Sequence, residues 1–279
     1  MNILSVILSG VAVGAAMTVP GVSGGSAAMV LGIYDRLVLA VSRIFSEPKK
    51  SVPLLLKFGL GALIGMLLIA RLISFLLTTP LEIPLRFLFL GAVAGGIPMI
   101  FRRANIRKIT PGNAALILAG AAAVLILSLL PEGMFSPGQD GFSGAVLQFA
   151  GGLLVAAALV LPGISASHLL YMLGIYDPVM ERLGSLKLLP LLPMGIGLLA
   201  GAFLTAKLLE NMLERHQAGT FMVILGFMLA SLRELLPAGA DGVQLLTGLI
   251  CAAVGFVVVC WLQSDKKSRR SRTEHAEKE

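Results

Sequence analysis

Two breaks in apolar sequence, set 142 residues apart, constrain this chain more than any other feature. The first reads Pro20-Gly21-Val22-Ser23-Gly24-Gly25 and leads into Leu31-Gly32-Ile33-Tyr34-Asp35. The second reads Pro162-Gly163-Ile164-Ser165-Ala166-Ser167 and leads into Leu173-Gly174-Ile175-Tyr176-Asp177. Further on, after a small deletion, Gly59, Gly61 and Gly65 fall on Gly195, Gly197 and Gly201, and Arg71 falls on Lys207. Matches of this extent imply an internal repeat. The chain divides into a first repeat over 1–131, a linker over 132–142, a second repeat over 143–262 and a basic tail over 263–279.

Both breaks interrupt long apolar blocks. These fall at 53–80, 85–101, 113–131, 144–161, 189–209, 219–236 and 243–262, with an eighth at 3–19. The blocks at 3–19 and 144–161 pass through the breaks into 22–34 and 164–176. Several approach the roughly 20 residues that cross a bilayer. Only 13% of residues are charged and 57% are hydrophobic, whereas a soluble domain is about a quarter charged. The fold class is therefore an all-α polytopic membrane protein. The net charge of +7 gathers at Arg102, Arg103, Arg107 and Lys108 and in the tail at Lys266, Lys267, Arg269, Arg270 and Arg272. Such segments orient membrane proteins and meet anionic lipid heads, so nucleic-acid binding is not inferred. On a helix Cys251 and Cys260 would lie about 13 Å apart along the axis, too far for a disulfide. The start, MNILSVILSG, has no basic stretch or small-residue cleavage site, so no removable signal peptide is expected. The polar run from Ser264 is expected to be disordered or interfacial.

Basic residues in the 35–52 loop, the 101–112 loop and the tail place those segments in the cytoplasm, and the acidic 131–143 loop outside. The assignments agree only if each broken block returns to its starting face and three simple spans follow. An odd number of spans inverts the second repeat, and both termini lie inside. The returning segment is either a re-entrant hairpin or two full crossings. The hairpin is favoured, because 22–34 as a helix is about 20 Å long against a hydrocarbon core of about 30 Å. Two hairpins entering from opposite faces would bring their Pro-Gly tips together near the midplane, as in inverted-repeat transporters.

At each tip Pro removes a donor and Gly tolerates positive φ, so the helix breaks. A break inside lipid is tolerated only where protein or a water-filled cavity receives the freed backbone. Helices restarting after Ser23 and Ser165 would present N–H groups to an anion, which suits a phosphate. The bland reading is a structural kink, and two repeat-related breaks tip the balance toward function. The head-group candidates are Gly21, Ser23, Gly24, Gly25, Gly163, Ser165 and Ser167. Arg71 and Lys207, cations inside apolar spans, are the proposed charge partners, although Lys207 has a polar flank toward which it could snorkel. Tyr34, Asp35, His168, Tyr176 and Asp177 are coupling or gating candidates. The alternative for the two aspartates is a cap or an ion pair with Arg36 or Arg182. For His168 it is a packing role. Small-xxx-small pairs such as Gly10/Gly14, Gly61/Gly65, Gly91/Gly95 and Gly197/Gly201 are explained by close helix packing. No metal or cofactor is expected.

The segments GVAVGAAMTVPGVSGGSAAMVLGIYDRL and LVLPGISASHLLYMLGIYDPVMERL resemble the PopT family of polyprenyl-phosphate translocases, a domain of unknown function numbered 368. The similarity spans nearly the whole chain and includes Arg71. It implies return of undecaprenyl phosphate, the carrier lipid of cell-envelope polymers, from the outer to the inner leaflet of the bacterial inner membrane. Asp35 stands where the family commonly has Glu, and Ala166 and His168 alter the second tip, which bears on head-group contacts more than on substrate class. The alternative is a lipid phosphatase of the undecaprenyl-diphosphatase type. There the Pro-Gly-x-Ser motif continues with Arg and a glutamate pair accompanies it. Here Gly24-Gly25 and Ala166-Ser167 follow the serines, and no acidic pair precedes either tip. A scaffold protein would leave the doubled tips unexplained.

Overall fold

The computed structural model describes residues 3–18, 22–106, 108–129, 141–164, 166–185, 187, 189–237 and 241–276. Among them there is no strand. The first half contains α1 (Ile3–Ala16), α2 (Gly24–Val30), α3 (Tyr34–Ser42), α4 (Pro48–Leu77), α5 (Glu82–Arg103) and α6 (Pro111–Leu129). The second contains α7 (Phe142–Val160), α8 (Ala166–Met172), α9 (Tyr176–Gly184), a 3₁₀ turn (Leu189–Leu191), α10 (Leu192–Arg215), α11 (Gln217–Leu235) and α12 (Gly242–Ala276). The order of elements is the same in both halves. The short helices α2 and α8 have 7 residues each, and α3 and α9 have 9 each.

The turn after each short helix is also duplicated in its geometry. Gly32 and Gly174 both have φ of 68°, the left-handed conformation that glycine adopts without a Cβ penalty. Ile33 N–H donates to Ala28 O at 3.0 Å, and Ile175 N–H to Leu170 O at 3.1 Å. With Gly32 N–H on Met29 O and Gly174 N–H on Tyr171 O, each turn closes as a Schellman motif. The 35–52 segment, expected to be a loop, therefore holds α3 and the first turn of α4. The Gly32 stop ends one helix, and Asp35 in the first turn favours the start of the next.

Glycines set the register of the long helices. A Cβ on Gly61 would come within 2.3 Å of Ile7 O, and one on Gly65 within 2.0 Å of Val11 O. The numbers rise together, so α1 and α4 run parallel. Gly197 lies on Phe149 and Gly201 on Leu153, which makes α7 and α10 parallel in the same way. Gly91 lies on Ala252 and Gly95 on Phe256, so α5 and α12 are parallel too, and α6 packs on α11 through Gly120 and Gly226. Close approach at small residues is the usual contact between helices in lipid, where apolar burial gives no net drive.

Six helices, α4, α5, α6, α7, α10 and α12, are long and apolar enough to cross a membrane, and the chain is a multi-pass membrane protein. At 14 residues α1 is about 21 Å long, shorter than a hydrocarbon core of about 30 Å. The main buried cluster among the described residues includes Met29, Ile33 and Tyr34, from α2 to the start of α3, with Ile100 of α5 and Met222, Leu225 and Met228 of α11. Of the two expectations for the tail, the disordered one is corrected. α12 continues through the charged run to Ala276, because Lys, Arg, Glu and Ala sustain a helix well.

Candidate functional site

The two breaks meet. Ser23 caps α2, its Oγ accepting the Ser26 N–H at 3.1 Å. The same Oγ accepts the Gly163 N–H of the second break at 2.8 Å and donates to Ser26 Oγ at 2.8 Å. A hydroxyl has one proton and two lone pairs, so its capacity is used up in this conformation. A Cβ on Gly25 would lie 3.0 Å from Pro162 Cα, and one on Gly163 only 2.5 Å from Phe227 O of α11. Gly163 has φ of 86°, and Pro162 is fully buried. Tyr34 adds a third link, its hydroxyl donating to Val160 O at the end of α7 at 2.9 Å. Gly24, Gly25 and Gly163 thus pack as contact surfaces. Gly21 and Ser165 lie outside the described residues, and Ser167 and His168 are described only as backbone of α8.

The cations stand at the level of the tips. Carrying the offset between α1 and α4 forward sets Arg71 level with Met17, where α1 ends. Carrying that between α7 and α10 forward sets Lys207 level with Leu159, where α7 ends. Their surroundings differ. Arg71 is exposed and has no ion-pair partner among the described residues. Lys207 donates to Glu210 Oε2 at 2.9 Å. Glu210 is only 4% exposed, and its Oε1 also accepts from Arg43 Nε at 2.6 Å. Arg43 lies further within 3.7 Å of Glu47 and 3.5 Å of Glu214. Beside it Lys50 donates to Glu47 and holds that carboxyl below the usual carboxylate range.

The gating candidates occupy unlike settings in the two halves. Tyr34 is buried, whereas Tyr176 stacks on Tyr171 with ring centroids 3.9 Å apart. Asp35 pairs with Arg103 of α5, and its Oδ1 is buried without a hydrogen-bond partner. Asp177 is exposed in the first turn of α9. The partner expected for Asp35, Arg36, is corrected to Arg103. Arg36 follows Asp35 directly and points elsewhere, because adjacent helix residues do not share a face. Arg182 faces Gln148, whose amide oxygen, in the orientation that satisfies both ends, accepts from Arg182 at 3.2 Å.

Beneath the first tip lies a cavity of about 240 Å³. Its walls come from α1, α2, α3, α4, the end of α7 and α10, and include Met17, Gly25, Val38, Leu55, Leu159 and Ala206. Its lining is apolar apart from Tyr34, whose hydroxyl is engaged with Val160 O. No group of three or more His, Cys, Asp or Glu suited to a metal occurs among the described residues. Arg43 and Arg103 counted in the sequence only as orienting charges and Glu210 only as a polar flank, none with a role in the site. Only Glu210 carried a local signal, as part of the polar flank of Lys207 at the end of an apolar block. The other two acquire their meaning from contacts distant in sequence, Arg43 with Glu210 across the two halves and Arg103 with Asp35 within the first.

The family model described as undecaprenyl phosphate translocase-like matches residues 13–247. A polyprenyl-phosphate transporter of Staphylococcus aureus (strain NCTC 8325 / PS 47) is 32% identical over 266 residues, covering 90% of this chain and 93% of the relative. A polyprenyl-phosphate transporter of Vibrio cholerae serotype O1 (strain ATCC 39315 / El Tor Inaba N16961) is 30% identical over 252 residues, covering 85% and 79%. No solved structure matches the chain. With the family model matching most of its length and both relatives at least 30% identical over most of the chain, the chain belongs to the undecaprenyl phosphate translocase-like family.

Proposed function

We propose that this protein carries undecaprenyl phosphate, or a related polyprenyl phosphate, from the outer to the inner leaflet of a bacterial cytoplasmic membrane. The observation that carries the reading is the meeting of the two Pro-Gly breaks through Ser23 and Gly163, in a chain whose relatives are named polyprenyl-phosphate transporters. An inverted arrangement of the repeats, 1–131 and 143–262, is supported by the parallel pairs α1 with α4, α7 with α10 and α5 with α12. If successive long helices alternate in direction through their short connections, those pairings set α1 and α7 antiparallel. The short α1 favours re-entrant hairpins over full crossings. Both termini are then cytoplasmic.

In this reading the conformation with Ser23 saturated is a closed one. The lipid phosphate reaches the tips when they part, which frees Ser23 and Gly163 N–H as donors, with Gly21, Gly24, Gly25, Ser165 and Ser167 lining its path. Tyr34, Asp35, His168, Tyr176 and Asp177 couple the short helices to that motion. Arg71 is the open countercharge, and an arginine grips phosphate with two parallel hydrogen bonds where a lysine offers a point charge. Leaflet-resolved transport of labelled lipid therefore falls partially in Arg71→Lys and is lost in Arg71→Ala, with insertion unchanged. Transport at the wild-type rate in Arg71→Ala would remove the phosphate site from this place. The lipid phosphatase reading is tested separately by phosphate release from undecaprenyl diphosphate. Turnover that survives purification and depends on Ser23 or Ser165 would favour it over the carrier.

A further inference from the structure

We infer that the apolar cavity and the Arg43–Glu210–Lys207 cluster are the two ends of one amphipathic site for a prenyl phosphate, with Glu210 holding the cations until the lipid phosphate displaces it. The inference rests on the carrier reading above, and extends it to a second head-group station.

The two ends adjoin. Ala206 lines the cavity, and Glu210 follows it on the same face of α10, about 6 Å further along the axis. On the opposing wall Val38 and Val41 of α3 line the cavity, and Arg43 caps that helix just beyond them. The cavity is large enough for hydrocarbon, since an apolar cavity of about 150 Å³ already accepts benzene and this one measures about 240 Å³. Its one polar group, the Tyr34 hydroxyl, is engaged with Val160 O, so the lining offers little to hold water or an anion. One or two isoprene units next to a phosphate fit such a space, with the phosphate at the charged end.

The burial pattern identifies the displaceable group. Glu210 is 4% exposed, whereas Arg43 is 41% and Lys207 58% exposed. The cations are within reach of an incoming anion, and a phosphate offers Arg43 the planar, charge-assisted contact that the carboxylate now makes. The other half of the molecule lacks this competitor. Arg71 has no ion-pair partner among the described residues, and the residue three positions after it is Ser74 where Lys207 has Glu210. One end thus presents an open cation, and the other a pair of cations that an internal carboxylate reclaims. A lipid phosphate moving from the first to the second is released rather than trapped.

Binding to the purified full-length protein in nanodiscs tests this with three probes: farnesyl phosphate, farnesol and inorganic phosphate. Farnesyl phosphate binds more tightly than either partial probe. Glu210→Gln tightens farnesyl phosphate by about tenfold and leaves farnesol unchanged, because the buried carboxylate shared by both cations is gone, while the more exposed Glu47 and Glu214 still face only Arg43 of the two. Leu55→Trp, at a half-buried lining position that tolerates bulk better than Ala206, weakens farnesyl phosphate and farnesol alike. Unchanged or weaker farnesyl phosphate binding in Glu210→Gln would overturn the proposal, as would undiminished farnesol binding in Leu55→Trp. Inorganic phosphate binding as tightly as farnesyl phosphate would make this a free-phosphate site and would overturn the lipid assignment. If Arg71→Ala still transports while Glu210→Gln tightens binding, the Arg71 station fails and this one stands. The converse pair of results separates them the other way.

Discussion

Ser23→Ala isolates the contact between the two breaks. The substitution removes a helix cap, worth about 1 kcal/mol, and strips Gly163 N–H of its acceptor. Gly163 is buried, so its orphaned donor costs a further 1–3 kcal/mol or so, and with the lost hydroxyl pair to Ser26 the total is about 2.5–5.5 kcal/mol. Ser23→Gly separates the two parts. Glycine at a cap costs only a few tenths of a kcal/mol, so what remains is the link with Gly163, about 1–3 kcal/mol, plus the hydroxyl pair with Ser26. Ser26→Ala loses only the 2.8 Å hydroxyl pair, about 0.5–1.5 kcal/mol, and leaves the tip contact in place. Reversible unfolding in mixed micelles, with the denaturing detergent fraction raised stepwise, orders the three as Ser23→Ala, Ser23→Gly, Ser26→Ala. Wild-type stability in Ser23→Gly, within about 0.5 kcal/mol, would refute the claim that this hydroxyl holds the halves together.

The remaining predictions use neighbouring contacts. Gly163→Ala suffers both a positive φ and the approach to Phe227 O, at about 2 kcal/mol or more. Gly141→Ala, with φ of 88° and nothing within 4 Å, loses only the conformational part, and equal losses at the two sites would refute the close packing on α11. Arg103→Ala leaves the Asp35 carboxylate unpaired and costs about 1–3 kcal/mol. Adding Asp35→Asn recovers part of that in a double-mutant cycle, and strict additivity would show that the pair does not couple α3 to α5. Cysteines at Asn105 and Ser268 stay protected from impermeant reagents in intact cells while one at Ser136 labels, and uniform labelling would contradict the inverted arrangement.

The sequence carried the elements that punctuate the backbone. Pro162, Gly32 and Gly174 act through φ and missing donors, which are local properties, and their spacing, together with Pro20 in the sequence, disclosed the doubled plan. The approach of the tips was an expectation drawn from that plan and the loop charges, and the Ser23–Gly163 hydrogen bond shows the approach itself. Side-chain partnerships were a different matter. Asp35 has Arg36 beside it in sequence, yet pairs with Arg103, because the Schellman turn at Gly32 aims the first turn of α3 at α5. Lys207 read as the counterpart of Arg71, and by register it is, but Glu210 and Arg43 change its charge environment. No residue type marks that difference until α3 is laid on α10. The cavity was likewise invisible, since Val38, Leu55 and Ala206 are ordinary apolar residues in their own segments and become a lining only after assembly.

The central claim is carriage of a prenyl phosphate across the bilayer by this chain alone. Purified protein reconstituted into vesicles, with a fluorescent polyprenyl phosphate loaded in one leaflet and a membrane-impermeant quencher added outside, reads that movement directly. Exchange between leaflets is expected well above that of protein-free vesicles, lost with Arg71→Ala and with no phosphate released. Exchange no faster than in empty vesicles, from protein shown to be folded, would contradict it.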